Sequence, residues 1–393
     1  MKKILIFYAC YGGGHLSAAN ALKQYIDSNY GKKYETILID CMQYVNKPFN
    51  KFTTTAYKEM AKKFPWAWGE FYYHAKKGPI ARISSASNKI LARKLLDLLD
   101  EHSPDIIIST HPFSTQMICY LKKKKLINCL LATVLTDFAP HEQWLVGKDF
   151  CDLFFVSHSK MRQQLIESHG IPEEKIFATG IPLSHKFLNH YDKKEIKNRF
   201  GLDINKKLVL FFGGGEFGLG KERTISILKT FIKNTQDHFQ IIAIAGKNEK
   251  MKEHFQELVT KMNANEAVKV LGFTKQVPEL MSISDLVVTK PGGLTSTESL
   301  ASGLPMLLIN PIPGQEEENA EFLEEAKVAI WLKKDDDYNS IITDLLSDTD
   351  KLHQMKINTK LLAKKNSTRD ICETILDLAQ GSNNNNNNNF NNH

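Results

Sequence analysis

Thr289-Lys290-Pro291-Gly292-Gly293-Leu294-Thr295-Ser296-Thr297-Glu298 is the most specific stretch of the chain, and Gly303-Leu304-Pro305 follows it. The run Asp285–Val288 ahead of it reads as a strand, and the glycines with Thr295 lie where a helix begins. Free N–H groups at such a helix start can cradle a diphosphate. Glu298 falls about one turn into the helix, where a carboxylate can accept hydrogen bonds from both hydroxyls of a ribose. A capped helix with an early acid has the same pattern, so the stretch alone leaves a structural reading open. Pro311-Ile312-Pro313-Gly314-Gln315-Glu316-Glu317-Glu318-Asn319 comes after the next strand-like run. Its amides and acids suit the reading of sugar hydroxyls by hydrogen bonding. Glu317 and Glu318 fit a solvated helix start equally well.

Outward from this stretch, short apolar runs alternate with longer amphipathic ones. The first half offers Ile4–Ala9, Thr36–Cys41, Asp105–His111, Leu130–Asp137, Leu153–His158 and Ile176–Gly180. The second offers Leu208–Gly214, Phe239–Gly246, Val268–Phe273, Asp285–Pro291, Pro305–Pro311 and Ala329–Leu332. Short apolar runs bounded by Gly, Pro or Asp read as buried parallel strands, and the stretches between them as crossover helices. Each half is therefore expected to form its own doubly wound α/β domain. The expected boundaries are a first domain over 1–187, a polar linker over 188–207, a second domain over 208–350 and terminal helices over 351–380. The Asn-rich tract over 381–393 cannot bury enough apolar surface to fold and is expected to be disordered.

Two more glycine turns follow the first strand of each half. Tyr11-Gly12-Gly13-Gly14-His15-Leu16-Ser17-Ala18 places His15 at the carboxyl ends of the strands, where open α/β sheets bind ligands. A tight turn with a polar N-cap is the plain alternative. In Phe212-Gly213-Gly214-Gly215-Glu216-Phe217-Gly218-Leu219-Gly220, three glycines satisfy G-x-G-x-x-G. A full dinucleotide fingerprint also needs an acid at the end of the next strand, about 20 residues on. That strand ends Ala245-Gly246-Lys247. The first half places Asp40 after its second strand but has Ser17 where a third glycine belongs. An NAD-dependent oxidoreductase is the alternative of a different class, and these gaps count against it.

The 393 residues are 42% hydrophobic and 24% charged, an ordinary globular balance. No apolar run reaches the ~20 residues that span a bilayer. Ile4–Ala9 is too short for a usual signal-peptide core. The six cysteines form no Cys-x-x-Cys pair and read as buried free thiols in a reducing, cytoplasmic compartment. No His, Cys or carboxylate cluster has metal-ligand spacing, so neither metal nor cofactor is expected. His141-Glu142 and Asp335-Asp336-Asp337 read as loop polarity.

The net charge of +7 is unevenly placed. Between Lys47 and Lys94 eleven Lys or Arg face two acids, Glu59 and Glu70. Trp66, Trp68, Phe71, Tyr72 and Tyr73 sit among them. Basic residues interleaved with aromatics suit nucleic acid or anionic lipid, and a solvated face is the plain reading. The tight Trp and Tyr cluster favours the headgroup level of a membrane.

Taken in order, these motifs resemble the family of monogalactosyldiacylglycerol synthases and processive diacylglycerol glucosyltransferases, akin to the peptidoglycan lipid-linked N-acetylglucosaminyltransferase. The matching residues are Gly12-Gly13-Gly14-His15, Thr136-Asp137, Val156-Ser157, Gly180-Ile181-Pro182, Gly213 to Glu216, Lys290 to Thr295 with Glu298, and Pro313 to Glu316 with Asn319. The resemblance implies a GT-B architecture, two Rossmann-like domains facing across a cleft. It implies inverting hexose transfer, glucose before galactose, from a UDP-sugar to diacylglycerol. Another lipid-linked acceptor, such as a peptidoglycan precursor, is the runner-up. By position, His15 would be the general base and Asp137 its rival or orienter. Gly14, Gly214, Gly215, Glu216, Gly293, Leu294 and Thr295 would neighbour the donor, and Glu298 would bind its ribose. Gln315 and Glu316 would address the hexose, and Asn319 would be a further donor-binding residue. Trp66, Trp68, Phe71 and Tyr72 would meet the membrane and acceptor. The implied partners are UDP-glucose or UDP-galactose, diacylglycerol and an anionic surface, not nucleic acid, on the inner face of the cell membrane.

Overall fold

A computed structural model describes residues 1–9, 13–45, 92–214, 220–234 and 238–388, with backbone alone beyond 380. The described residues divide into two compact units. One contains Met1–Ser184 and the chain from Lys364 onward, and the other contains His185–Ala363.

The first unit is built on β1 (Lys2–Tyr8), β2 (Tyr34–Asp40), β3 (Ile106–Ser109), β4 (Leu130–Val134), β5 (Leu153–Phe155) and β6 (Ile176–Phe177). The strands are all parallel, in the order β2-β1-β3-β4-β5-β6. Ile4, Leu5, Ile6 and Phe7 are all fully buried, because helices cover both faces of the sheet. On one face Leu5, Phe7, Ile107 and Leu131 pack with Met117, Ile118 and Leu121 of the helix Pro112–Lys123. On the other, Ile4, Ile6, Ile108 and Val134 pack with Leu22 and Ile26 of the helix Gly14–Tyr30. Ile371, Ile375 and Leu376 of the helix Ser367–Asn388 close that same face.

The second unit repeats the plan with β7 (Lys207–Phe212), β8 (Phe239–Ile244), β9 (Val268–Leu271), β10 (Leu286–Thr289), β11 (Met306–Leu308) and β12 (Ala329–Trp331). Its parallel order is β12-β11-β10-β7-β8-β9. Both sheets reverse direction of growth once, between β1 and β3 in the first and between β7 and β10 in the second. Those reversals are the switch points at which such sheets open a crevice.

All twelve expected strands form. The expected domain limits differ from the observed ones. Residues 188–207 contain the helix Lys193–Arg199, capped by Asp192 and carrying the buried Ile196. Lys197 is buried too, and its Nζ donates to the carbonyls of Asp203 at 3.0 Å and Ile204 at 3.2 Å. The stretch is thus packed into the second unit, and its charge density hides the one apolar face. The terminal helices also divide. Thr349–Leu362 gives Leu352 and Met355 to the second core, whereas Ser367–Asn388 belongs to the first. That last helix continues into the tract expected to be disordered, since propagation from an anchored helix fixes only one residue per added hydrogen bond. Among the described residues no helix is long and apolar enough to cross a membrane.

Candidate active site

His15 is the second residue of the helix Gly14–Tyr30, which starts at the β1–β3 switch point. Its Nδ1 lies 2.7 Å from the carbonyl oxygen of Thr110 and 3.1 Å from Thr136 Oγ1. A carbonyl only accepts, so Nδ1 carries the proton and the neutral ring leaves Nε2 bare. Nε2 has no hydrogen-bond partner among the described residues. The ring keeps some exposure but is hemmed in by His111, whose ring meets it edge-on at 4.5 Å, and by Trp144 at 6.5 Å. Burial pushes its pKa down to about 4, against a raising effect of the Thr110 carbonyl. At neutral pH His15 is therefore an uncharged base.

The neighbours are fixed by local structure. Thr110 follows β3, and its hydroxyl donates to the carbonyls of Phe7 at 3.2 Å and His15 at 3.0 Å, tying the β1 turn to β3. His111 caps the helix Pro112–Lys123, its Nδ1 accepting from the Phe113 amide at 3.1 Å. Burial, and then the neighbouring His15 and His141, hold the His111 pKa well below the ordinary histidine value. Asp137 is buried, accepts from Trp144 Nε1 at 3.4 Å and lies 3.8 Å from His141 Nε2. It makes no hydrogen bond to His15, whose Nδ1 partners are both oxygens of threonines.

In the second unit the two glycine turns meet at the β7–β10 switch point. Gly213 packs so closely that a Cβ there would lie 2.8 Å from the Phe255 ring. Gly214 has φ +89°, a conformation that favours glycine, and the Lys290 side chain lies over it. Gly292 is the N-cap of the helix Gly293–Ala301, which carries Leu294, Thr295 and Glu298. The Glu298 carboxylate has no hydrogen bond or ion pair among the described residues. Burial alone raises its pKa to about 8.

Glu316 faces Gly292, and its Oε2 accepts from the Ile312 amide at 2.6 Å. Glu317 accepts from the Gly314 amide at 2.9 Å, a helix-start bond rather than a solvated surface charge. Asn319 is fully buried and donates to the Pro291 carbonyl at 3.1 Å, joining the two loops. Gln315 opens the helix Gln315–Glu325, half-buried.

The structure thus gathers His15 with Thr136 in one unit, and Gly214, Gly293, Leu294, Thr295, Glu298, Gln315, Glu316 and Asn319 around one switch point in the other. Gly14 opens the helix that bears His15. Gly215, Glu216, Trp66, Trp68, Phe71 and Tyr72 lie outside the described residues. Sequence reasoning missed Thr110, His111 and Trp144. His111-Pro112 after a strand was a legible helix-start signal, since Pro favours the first helical position.

The monogalactosyldiacylglycerol (MGDG) synthase family matches residues 15–183, and glycosyl transferases group 1 matches residues 192–362. The processive diacylglycerol beta-glucosyltransferase of Bacillus pumilus is 31% identical over 377 residues, covering 96% of this chain and 95% of that protein. That of Bacillus subtilis is 32% identical over 377 residues, covering 95% of each. The chain belongs to the processive diacylglycerol beta-glucosyltransferase family. As a member it is a glycosyltransferase, and no likeness to an oxidoreductase competes among these relatives. MurG of Acinetobacter baumannii has a similar fold, with a TM-score of 0.65 at 14% identity, over 96% of this chain and 100% of that one. Alr3699/HepE of Anabaena, solved in complex with UDP, has a TM-score of 0.57 at 16% identity, over 96% and 100%. Both bear out the expected GT-B architecture of two six-stranded parallel sheets.

Proposed function

We propose that this family member transfers glucose from UDP-glucose to the hydroxyl of diacylglycerol, with inversion at the anomeric carbon. The observation that carries the proposal is the end-to-end likeness to proteins of that name, over 95–96% of the chain. The geometry gives it a mechanism. His15 Nε2 takes the proton of the acceptor hydroxyl as its oxygen attacks the anomeric carbon and the bond to the diphosphate breaks. UDP leaves with added negative charge. The N–H groups at the start of the helix Gly293–Ala301, with Lys290 beside Gly214, suit that charge. Glu298 serves the ribose diol, and Gln315 and Glu316 the hexose. Asn319 acts through the Pro291 turn that it supports.

The acceptor lies in a bilayer, so the basic aromatic segment Lys47–Lys94 is assigned to an anionic membrane surface, with Trp66, Trp68, Phe71 and Tyr72 at headgroup level. The test offers UDP-glucose and UDP-galactose separately to the full chain with diacylglycerol in anionic and neutral vesicles. Mass analysis of the lipids should find glucosyl product, faster on anionic vesicles. Product from neither sugar sinks the proposal, and product from UDP-galactose alone corrects the donor.

A further inference from the structure

We propose that the Thr110 carbonyl and the Thr136 hydroxyl together do for His15 what a carboxylate does in an acid–histidine pair. They hold Nδ1–H, leave Nε2 as the nitrogen that takes the acceptor proton, and share the charge of the imidazolium that results. Thr136 is then a positioning residue of the transfer. The inference rests on the reading of His15 as the base.

The expected orienting acid was Asp137, the next residue along the chain. The structure turns it elsewhere, toward Trp144 Nε1 and His141. Its neighbour Thr136 instead puts Oγ1 3.1 Å from His15 Nδ1, and the Thr110 carbonyl approaches to 2.7 Å. With one proton on Nδ1 and a carbonyl fixed in front of it, the hydroxyl can only accept a share of the same proton. Thr110 is held in place by its own hydroxyl, which bonds back to the carbonyls of Phe7 and His15. The two oxygens therefore sit just beyond β3 and β4, and both approach the same ring nitrogen.

Two neutral acceptors stabilise an imidazolium less than a carboxylate does. The Thr110 carbonyl offsets only part of the burial that pushes the His15 pKa down to about 4, so the base is not held as a resting cation. Among the described residues, the titratable group against the ring is His111, at 4.5 Å. Asp137 and His141 stand one step away, linked through Trp144, whose ring lies 5.9 Å from His141. Burial holds His111 neutral as well, so it places no positive charge against the His15 ring.

The test has one arm that needs no activity. Ring nitrogens of the full chain are labelled with ¹⁵N, and His15 is assigned by its loss in His15→Gln. Spectra near neutral pH should show His15 protonated on Nδ1. Thr136→Asp should raise the titration midpoint of His15 by a unit or more, because a charged acceptor replaces a neutral one. In the activity arm, Thr136→Val should lower kcat about tenfold with the donor KM unchanged, and Thr136→Ser should restore it. An Nε2-protonated ring, or an unmoved midpoint in Thr136→Asp, overturns the inference whatever the enzyme transfers. Full kcat in Thr136→Val also overturns it. Absence of any glucosyl product would strike the transfer reading instead, and the spectra would still decide the tautomer.

Discussion

The proposed role of Glu298 in donor binding is measurable through its carboxyl, which burial keeps largely protonated at neutral pH. Burial raises its pKa from 4.5 to about 8. If the ribose diol donates two hydrogen bonds to it, the bound form is the carboxylate, so binding must release a proton. About one molecule in ten is ionised at pH 7 and about one in a hundred at pH 6. Affinity should therefore weaken about tenfold per pH unit below 8, or ~1.4 kcal/mol per unit, and level off above. Glu298→Gln keeps the shape but removes one acceptor and the charge. At pH 8.5 it should cost ~1.5–3 kcal/mol, about 10- to 100-fold in Kd. Its affinity should be flat with pH, so the two proteins converge near pH 6. Titration calorimetry with uridine isolates the effect, because uridine lacks the phosphates that titrate in UDP. Stability moves the other way. The native state holds a proton that the unfolded chain loses above pH 4.5, so this contribution is complete below that value and is lost as pH rises through about 8. The glutamine variant should gain thermal stability over the wild type as pH climbs through that window. A uridine affinity independent of pH in the wild type, or equal in the variant at pH 8.5, refutes the assignment.

Three further outcomes follow from single contacts. His15→Gln should lower kcat by about 10²–10⁴ while leaving UDP affinity unchanged, read from initial rates and calorimetry. Gly213→Ala would push a methyl group against the Phe255 ring at 2.8 Å and should cost ~1–3 kcal/mol in denaturant unfolding, with Phe255→Leu in the same chain relieving part of it. Truncation after Ala363 strips Ile371, Cys372, Ile375 and Leu376 from the first unit's core and should leave it unable to fold cooperatively, whereas truncation after Gln380 should leave the melting temperature unchanged.

The strands were legible because each is buried on both faces and so reads as an unbroken apolar run. Helix caps were partly legible, as at Pro291–Gly293. The packing of residues 188–207 was not. A seven-residue helix with Ile196 as its main anchor gives no period to detect, and a lysine satisfied by three carbonyls looks like a solvated one until its partners are seen. The return of the chain to the first unit at Lys364 was equally hidden, because the helix Ser367–Asn388 has an apolar face that fits either sheet. The orientation of Asp137 is a matter of tertiary contact alone. Nothing in Thr136-Asp137 tells which of the two side chains turns to the histidine.

The errors at strand ends have a direction, and it bears on function. The apolar pattern carried the expected strands to His111, Asp137, His158 and Gly214, whereas β3, β4, β5 and β7 end at Ser109, Val134, Phe155 and Phe212. All four run past the strand at its carboxyl end. The overrunning residues Thr110, His111, Leu135, Thr136, Asp137, Val156, Ser157 and His158 are all buried. Ordinary surface loops would have broken the pattern with exposed polar residues. Their first amides still reach the neighbouring strand, Thr110 N–H to the Phe7 carbonyl, Leu135 N–H to that of Phe155 and Val156 N–H to that of Phe177, each at 2.9 Å. Beyond them side chains take over, as where His111 and His158 cap the next helices through the Phe113 and Met161 amides, each at 3.1 Å. One of these buried segments brings the Thr110 carbonyl to 2.7 Å from the histidine. The strand signal fails, then, just beyond the strand ends, and two of the residues that prolong it, Thr110 and Thr136, are the ones hydrogen-bonded to His15.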